Sequence, residues 1–194
     1  MDEKEAAARI EEYARYLSLE RGLSPRSVSS YRSDIGRFFL WARGRKIDAR
    51  RAGRADLDEF LWAERERGLK PASLFRKVES LKSYFAFETL EERLPESPAE
   101  TLRSPRIPAR LPKFLTREEA ARLLAVPNGS SYEDLRDRAM LELLYASGLR
   151  VSELVSLKPE SANLQDGWVR VRGKGNKERL VPVHARALAA VRVY

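Results

Sequence analysis

Two short stretches hold residue types that could do phosphate chemistry. YASGLRVSELVSL, residues 145–157, places Arg150 just after a glycine that ends one helix and just before another begins, with Glu153 one turn on. An arginine at such a corner projects outward, and the carboxylate can orient it to grip a phosphate through paired N–H donors. Taken alone, the two residues also fit an ordinary surface ion pair, which contributes little. VRVRGKGNKERLVPV, residues 169–183, sets two alternating runs around Gly173, Lys174, Gly175, Asn176 and Lys177. Period-two alternation predicts a β-hairpin, with Lys174 at the tip of a thin arm. The flanking glycines let the backbone bend and keep other side chains out of the way. Val169 and Val171 fall on one face, and Arg170 and Arg172 on the other. A P-loop is excluded: there is no Gly-x4-Gly-Lys-Ser/Thr, and a strand rather than a helix follows the turn.

The elements that must carry these residues are mostly helical. Four helices are predicted before residue 94: about 4–21 (Ile10, Tyr13, Ala14, Leu17 inward), 25–43 (Val28, Tyr31, Ile35, Phe38, Phe39), 54–67 (Leu57, Phe60, Leu61) and 71–90 (Leu74, Val78, Leu81, Phe85). Gly22-Leu23-Ser24-Pro25 is echoed by Gly68-Leu69-Lys70-Pro71. Glycine takes the left-handed position that ends one helix, and proline opens the next where no donor is lost. Residues 1–94 therefore read as two helical hairpins. Short hydroxyls and long cations cluster near two helix starts: Arg26, Ser27, Ser30 and Arg32, then Ser73, Arg76, Lys77 and Lys82. Such residues suit phosphate contacts, and a solvated helix face would look similar.

Five of the ten prolines fall between Pro95 and Pro112, so residues 95–113 read as a linker. It carries Arg106 and Arg110 and is expected to lie as a basic strap along a phosphate backbone. Residues 114–194 begin with a capping box at Thr116 and Glu119. Helices are predicted to about Ala125, over 133–146 and over 151–157. A weak strand at 162–164, the hairpin, and a last helix from His184 complete this region.

With 37 Lys and Arg against 29 Asp and Glu, the net charge is +8 and the pI near 9.9. That balance favours a polyanionic partner, nucleic acid above all. The absence of cysteine excludes disulfide frameworks and thiolate metal sites. No signal peptide and no membrane-length apolar run is seen, so the expected location is cytoplasmic, with no membrane partner.

Together, the two opening stretches resemble the tyrosine recombinase family, specifically the bacterial Xer-type chromosome-dimer resolvases and phage integrases. GLSPRSVSSYRSDIGRF resembles that family's core-binding helices, and SPRIPARLPKFLTREEAARLL its interdomain linker and first catalytic helix. The resemblance implies a mainly α fold. An N-terminal four-helix, SAM-like core-binding domain (1–94) and a linker (95–113) would precede part of an α+β catalytic domain (114–194) with a small antiparallel sheet. It implies that Arg150 binds the scissile phosphate, that Glu153 supports it, and that Lys174 helps protonate the leaving 5′-oxygen. Arg172 and Lys177 would lie near DNA. Double-stranded DNA and further protomers, as a tetramer on two duplexes, are the implied partners. No metal or nucleotide cofactor is implied, because a tyrosine attacks the phosphate covalently.

The family's His-x-x-Arg box and nucleophilic tyrosine are expected after the hairpin, and the sequence contains no such box. His184 is expected at the surface. Tyr194 is rejected as nucleophile because no box precedes it. The chain is thus expected to be a recombinase cut off within its catalytic domain, catalytically incomplete by itself and exposing apolar surface. Two further readings stand beside it: a non-catalytic DNA-binding regulator of an intact recombinase, and a helical adaptor of incidental basicity.

Overall fold

The computed structural model describes residues 3–107, 111–173 and 177–194. They are mainly helical and divide into two compact units, Met1–Arg110 and Leu111–Tyr194. Among them no helix is long and apolar enough to cross a membrane.

The first unit holds α1 (Glu3–Leu19), α2 (Pro25–Gly44), α3 (Arg54–Glu66) and α4 (Pro71–Leu90). α1 packs on α2, α3 on α4, and α2 on α4. The repeated corners form as the sequence requires. Gly22 and Gly68 take φ of 59° and 83°. Leu23 N–H reaches back to the Leu17 carbonyl (3.0 Å), and Leu69 N–H makes a six-to-one bond to that of Glu64 (3.3 Å), closing the two helix ends. The core between the helices is aromatic, with Tyr13, Phe38, Phe60, Tyr84 and Phe85 fully buried. Rings meet edge-on, as Phe38 and Phe60 do at 5.2 Å between centroids.

The expected linker does not start at residue 95. Ala99 and Leu102 are buried in this same core. Thr101 Oγ1 accepts from Arg54 Nη1 (2.6 Å), and Ser104 Oγ donates to Glu79 (2.7 Å).

The second unit holds α5 (Arg117–Leu124), α6 (Tyr132–Ser147), α7 (Val151–Val155), a 3-10 turn (Pro159–Ser161), β1 (Ala162–Asn163), β2 (Trp168–Arg172), β3 (Glu178–Pro182) and α8 (Ala185–Val193). The strands form one antiparallel sheet in the order β1-β2-β3. Its core is aliphatic: Leu143, Leu149, Leu154, Val169, Val171, Val183 and Ala187. This unit exposes Leu111, Phe114, Val126, Val151, Val155 and Val193.

Candidate phosphate site and nucleic-acid interface

Arg150 owes its place to a helix ending. Gly148 caps α6 in the left-handed conformation (φ 58°), and its N–H bonds the Leu144 carbonyl at 3.0 Å. Leu149 then turns inward, and Arg150 becomes the N-cap of α7, extended and outward. Its backbone N–H donates to Glu153 Oε2 (2.9 Å) and its Nη1 to Glu153 Oε1 (2.9 Å). The arginine side chain is 68% exposed, and that of Glu153 only 3%. The guanidinium is thus fixed at its base and open at its face.

A second arginine, missed by the sequence reading, completes this arrangement. Arg179 of β3 donates to both oxygens of Glu153, Nη1 to Oε1 at 2.8 Å and Nη2 to Oε2 at 2.9 Å. Strand register explains it. β3 pairs with β2 so that Val171 faces Arg179 and Val169 faces Val181. Directly opposed residues share a face, so Arg179 lies on the side of the buried valines, toward α7. Alternation through Val181 and Val183 puts Arg179 on the side of the buried valines, where its side chain, 41% exposed, reaches across to the Glu153 carboxylate. Gly173 makes room for it: a Cβ there would stand 3.1 Å from Arg179 Nη1 and 3.5 Å from Glu153 Oε1. What this glycine supplies is therefore close approach. The Arg179 side chain, the Arg150 backbone N–H and the Arg150 side chain together hold the Glu153 carboxyl at a pKa of about 2, below the ordinary 4.5, against its own desolvation.

On the outer face, Arg172 pairs with Glu178 across the strands (2.8 Å), and Arg170 lies over the Trp168 ring at 5.9 Å. Lys177 is exposed. A cleft of about 300 Å³ opens here, lined by Glu153, Lys158, Arg170 and Arg172 among others. Lys174 and Arg110 lie outside the described residues.

The two remaining residues with possible roles sit elsewhere. His184 is exposed and caps α8, its Nδ1 accepting from Ala187 N–H at 3.3 Å. The Tyr194 hydroxyl is 2.8 Å from that of Tyr132 at the start of α6, and this bond raises its pKa. Arg150 follows the other end of α6, whose 16 residues span roughly 24 Å at 1.5 Å per residue. Among the described residues, no group of three His, Cys, Asp or Glu side chains could hold a metal ion.

In the helical unit, most of the expected DNA-facing residues lie at the surface or half-buried. Arg26 and Arg32 are exposed, Arg32 pairing with Glu11. Ser27 and Ser30 are half-buried and bond within their own turn, to Ser24 and to the Arg26 carbonyl. Ser73 is half-buried, Lys82 sits 4.0 Å from Glu79, and Arg106 is exposed. Lys77 is the exception. It is 4% exposed, with Nζ 3.2 Å from both Asp34 and Glu64. The expectation that Lys77 touches DNA is corrected: two buried carboxylates from neighbouring helices draw it inward. Arg76, beside it, is held by Asp34 through Nε (3.0 Å) and Nη2 (3.2 Å) and stays half exposed.

Comparison with known proteins follows the same division. Residues 113–194 match the phage integrase family, and residues 10–92 match the phage integrase N-terminal SAM-like domain. Tyrosine recombinase XerC of Xanthomonas campestris pv. campestris (strain B100) is 41% identical over 186 residues, 95% of this chain and 58% of the relative. Tyrosine recombinase XerD of Haemophilus influenzae (strain ATCC 51907 / DSM 11121 / KW20 / Rd) is 42% identical over 176 residues, 91% and 59% respectively. The chain thus spans just under three fifths of the length of these curated relatives. Among solved structures, a lambda integrase tetramer bound to a Holliday junction matches with a TM-score of 0.68 at 20% identity, covering 96% of this chain and 54% of that one. The XerH recombinase bound to a palindromic difH substrate matches at 0.67 and 21%, covering 94% and 55%. At such identities the structural likeness is one of fold.

Proposed function

The chain belongs to the phage integrase family, and from that premise we propose that it grips duplex DNA as part of site-specific recombination. In this reading Arg150 binds the scissile phosphate, Glu153 and Arg179 hold it in place, and Lys174 serves the leaving oxygen. One observation carries the assignment: an exposed guanidinium anchored by a buried carboxylate that a second arginine also clamps. Such a group meets a phosphodiester without first being ordered, so its charge is available to the pentacoordinate transition state at little reorganisation cost. Nearby DNA contacts come from Arg172 and Lys177, and in the helical unit from Arg26, Ser27, Ser30, Arg32, Ser73, Arg76 and Lys82. Residues 105–113, with Arg106 and Arg110, are the strap. Other protomers and a tetrameric assembly belong to the same reading, as does a cytoplasmic setting.

Strand cleavage through a 3′-phosphotyrosine needs groups these 194 residues do not supply. No His-x-x-Arg sequence is present, and Tyr194 stands at the opposite end of α6 from Arg150. The isolated chain therefore binds and does not cut. A second reading is a non-catalytic DNA-binding regulator of an intact recombinase.

Fluorescence anisotropy on a duplex, from low to moderate salt, tests the binding. Affinity should fall steeply, as expected when several phosphate contacts release counterions. Flat salt dependence would leave only a basic helical adaptor. A nicked duplex should yield no covalent protein–DNA adduct on denaturing gels, and an adduct would show that the chain is catalytically complete.

A further inference from the structure

Where α2, α3 and α4 meet, four cations surround two buried carboxylates. Glu64 accepts from Arg37 Nε (3.2 Å) and Arg67 Nη1 (2.7 Å), and Lys77 Nζ lies 3.2 Å away. Asp34 accepts from Lys77 Nζ (3.2 Å), Ser80 Oγ (3.0 Å) and both Nε and Nη2 of Arg76. Lys77 joins the two carboxylates, so the network is continuous. Its charges do not balance. Two acids against Arg37, Arg67, Arg76 and Lys77 leave a surplus of two positive charges.

That surplus is informative. Lys77 and a single arginine would neutralise the two carboxylates, and cations beyond those repel one another, so charge balance inside the network does not explain the other two arginines. The side chains divide by depth. Asp34, Glu64 and Lys77 are 3 to 5% exposed, whereas Arg37, Arg67 and Arg76 are 39, 52 and 49% exposed. Each guanidinium has five N–H donors, and Arg37 and Arg67 each use one on Glu64. The remaining donors lie at the solvent boundary on side chains whose bases are fixed.

We propose that Arg37, Arg67 and Arg76 form a phosphate-binding cluster for the nucleic-acid backbone, with Asp34, Glu64 and Lys77 as its internal scaffold. The proposal rests on the DNA-binding reading above and adds Arg37 and Arg67, in α2's fourth turn and just past α3, to the interface. Pre-ordered arginines bind phosphate with little further loss of side-chain entropy.

The test uses the full 194-residue chain and a duplex of arbitrary sequence. In the Arg37→Gln/Arg67→Gln double variant, the slope of log K against log salt should become shallower by about two, at close to one per lost phosphate contact. Far-UV circular dichroism should stay unchanged. A steep wild-type slope that the variant retains would overturn the cluster and leave DNA binding intact, whereas a flat wild-type slope would fail the underlying reading itself. Should the variant not fold, arginine Nε–Hε NMR signals of the wild-type chain provide the readout. Duplex should shift those of Arg37, Arg67 and Arg76 well beyond inorganic phosphate at equal ionic strength. Equal shifts would mark a site for free oxyanions and overturn the assignment to DNA.

Discussion

Glu153 is shared between a helix start and a strand, and its protonation reports on both. Its carboxyl titrates near 2 in the folded chain and near 4.5 when unpaired. A depressed folded-state pKa contributes stability that is complete above pH 4.5 and is lost as pH falls from there through about 2. Arg179 is the largest cause of the depression, so Arg179→Ala should raise the Glu153 pKa toward 4.5, by carboxyl carbon-13 NMR, and move acid destabilisation to higher pH. Arg179→Lys, unable to bond both oxygens at once, should recover part of the shift. An unchanged titration would remove Arg179 from the site. The Arg150–Glu153 pair was legible because its members are three residues apart. Arg179 was not, because its partner lies 26 residues away and the strand phase that reveals it was applied only to β2. Lys77 was misplaced for a related reason. A helix's polar face can be read from its own sequence, but the acids that bury this lysine sit on α2 and α3.

At the level of elements, helix ends were readable to within about two residues, since caps are local chemistry. Gly22, Gly68 and Gly148 each take positive φ at a helix end. Nothing lies within 4 Å of a Cβ built on Gly148, so Gly148→Ala should cost only backbone strain, about 1–2 kcal/mol. A urea melt of the second unit should show that loss, and a neutral result would mean that Arg150's corner does not depend on the left-handed residue. Gly173 is different in kind. Its requirement is set by Arg179 and Glu153, which the hairpin pattern alone could not disclose. The packing of Ala99 and Leu102 was equally hidden, because two apolar residues among prolines carry no period.

Over the whole molecule, the two units have cores of different quality. The first interlocks seven buried aromatic rings with aliphatic side chains, while the described core of the second has only aliphatic residues and exposes Phe114, Val151 and Val155. Large buried rings contribute most to core stability, so calorimetry should resolve two transitions, the second unit melting first. A single cooperative transition would contradict independent cores. Lys77 supplies the means to assign the peaks. An amine wedged between two carboxylates is closed to acylating reagents for as long as α2, α3 and α4 remain together, whereas Lys70 on the same helical hairpin is open at all times. The ratio of their labelling is a native clock for opening of the helical unit, built into the chain without any added probe.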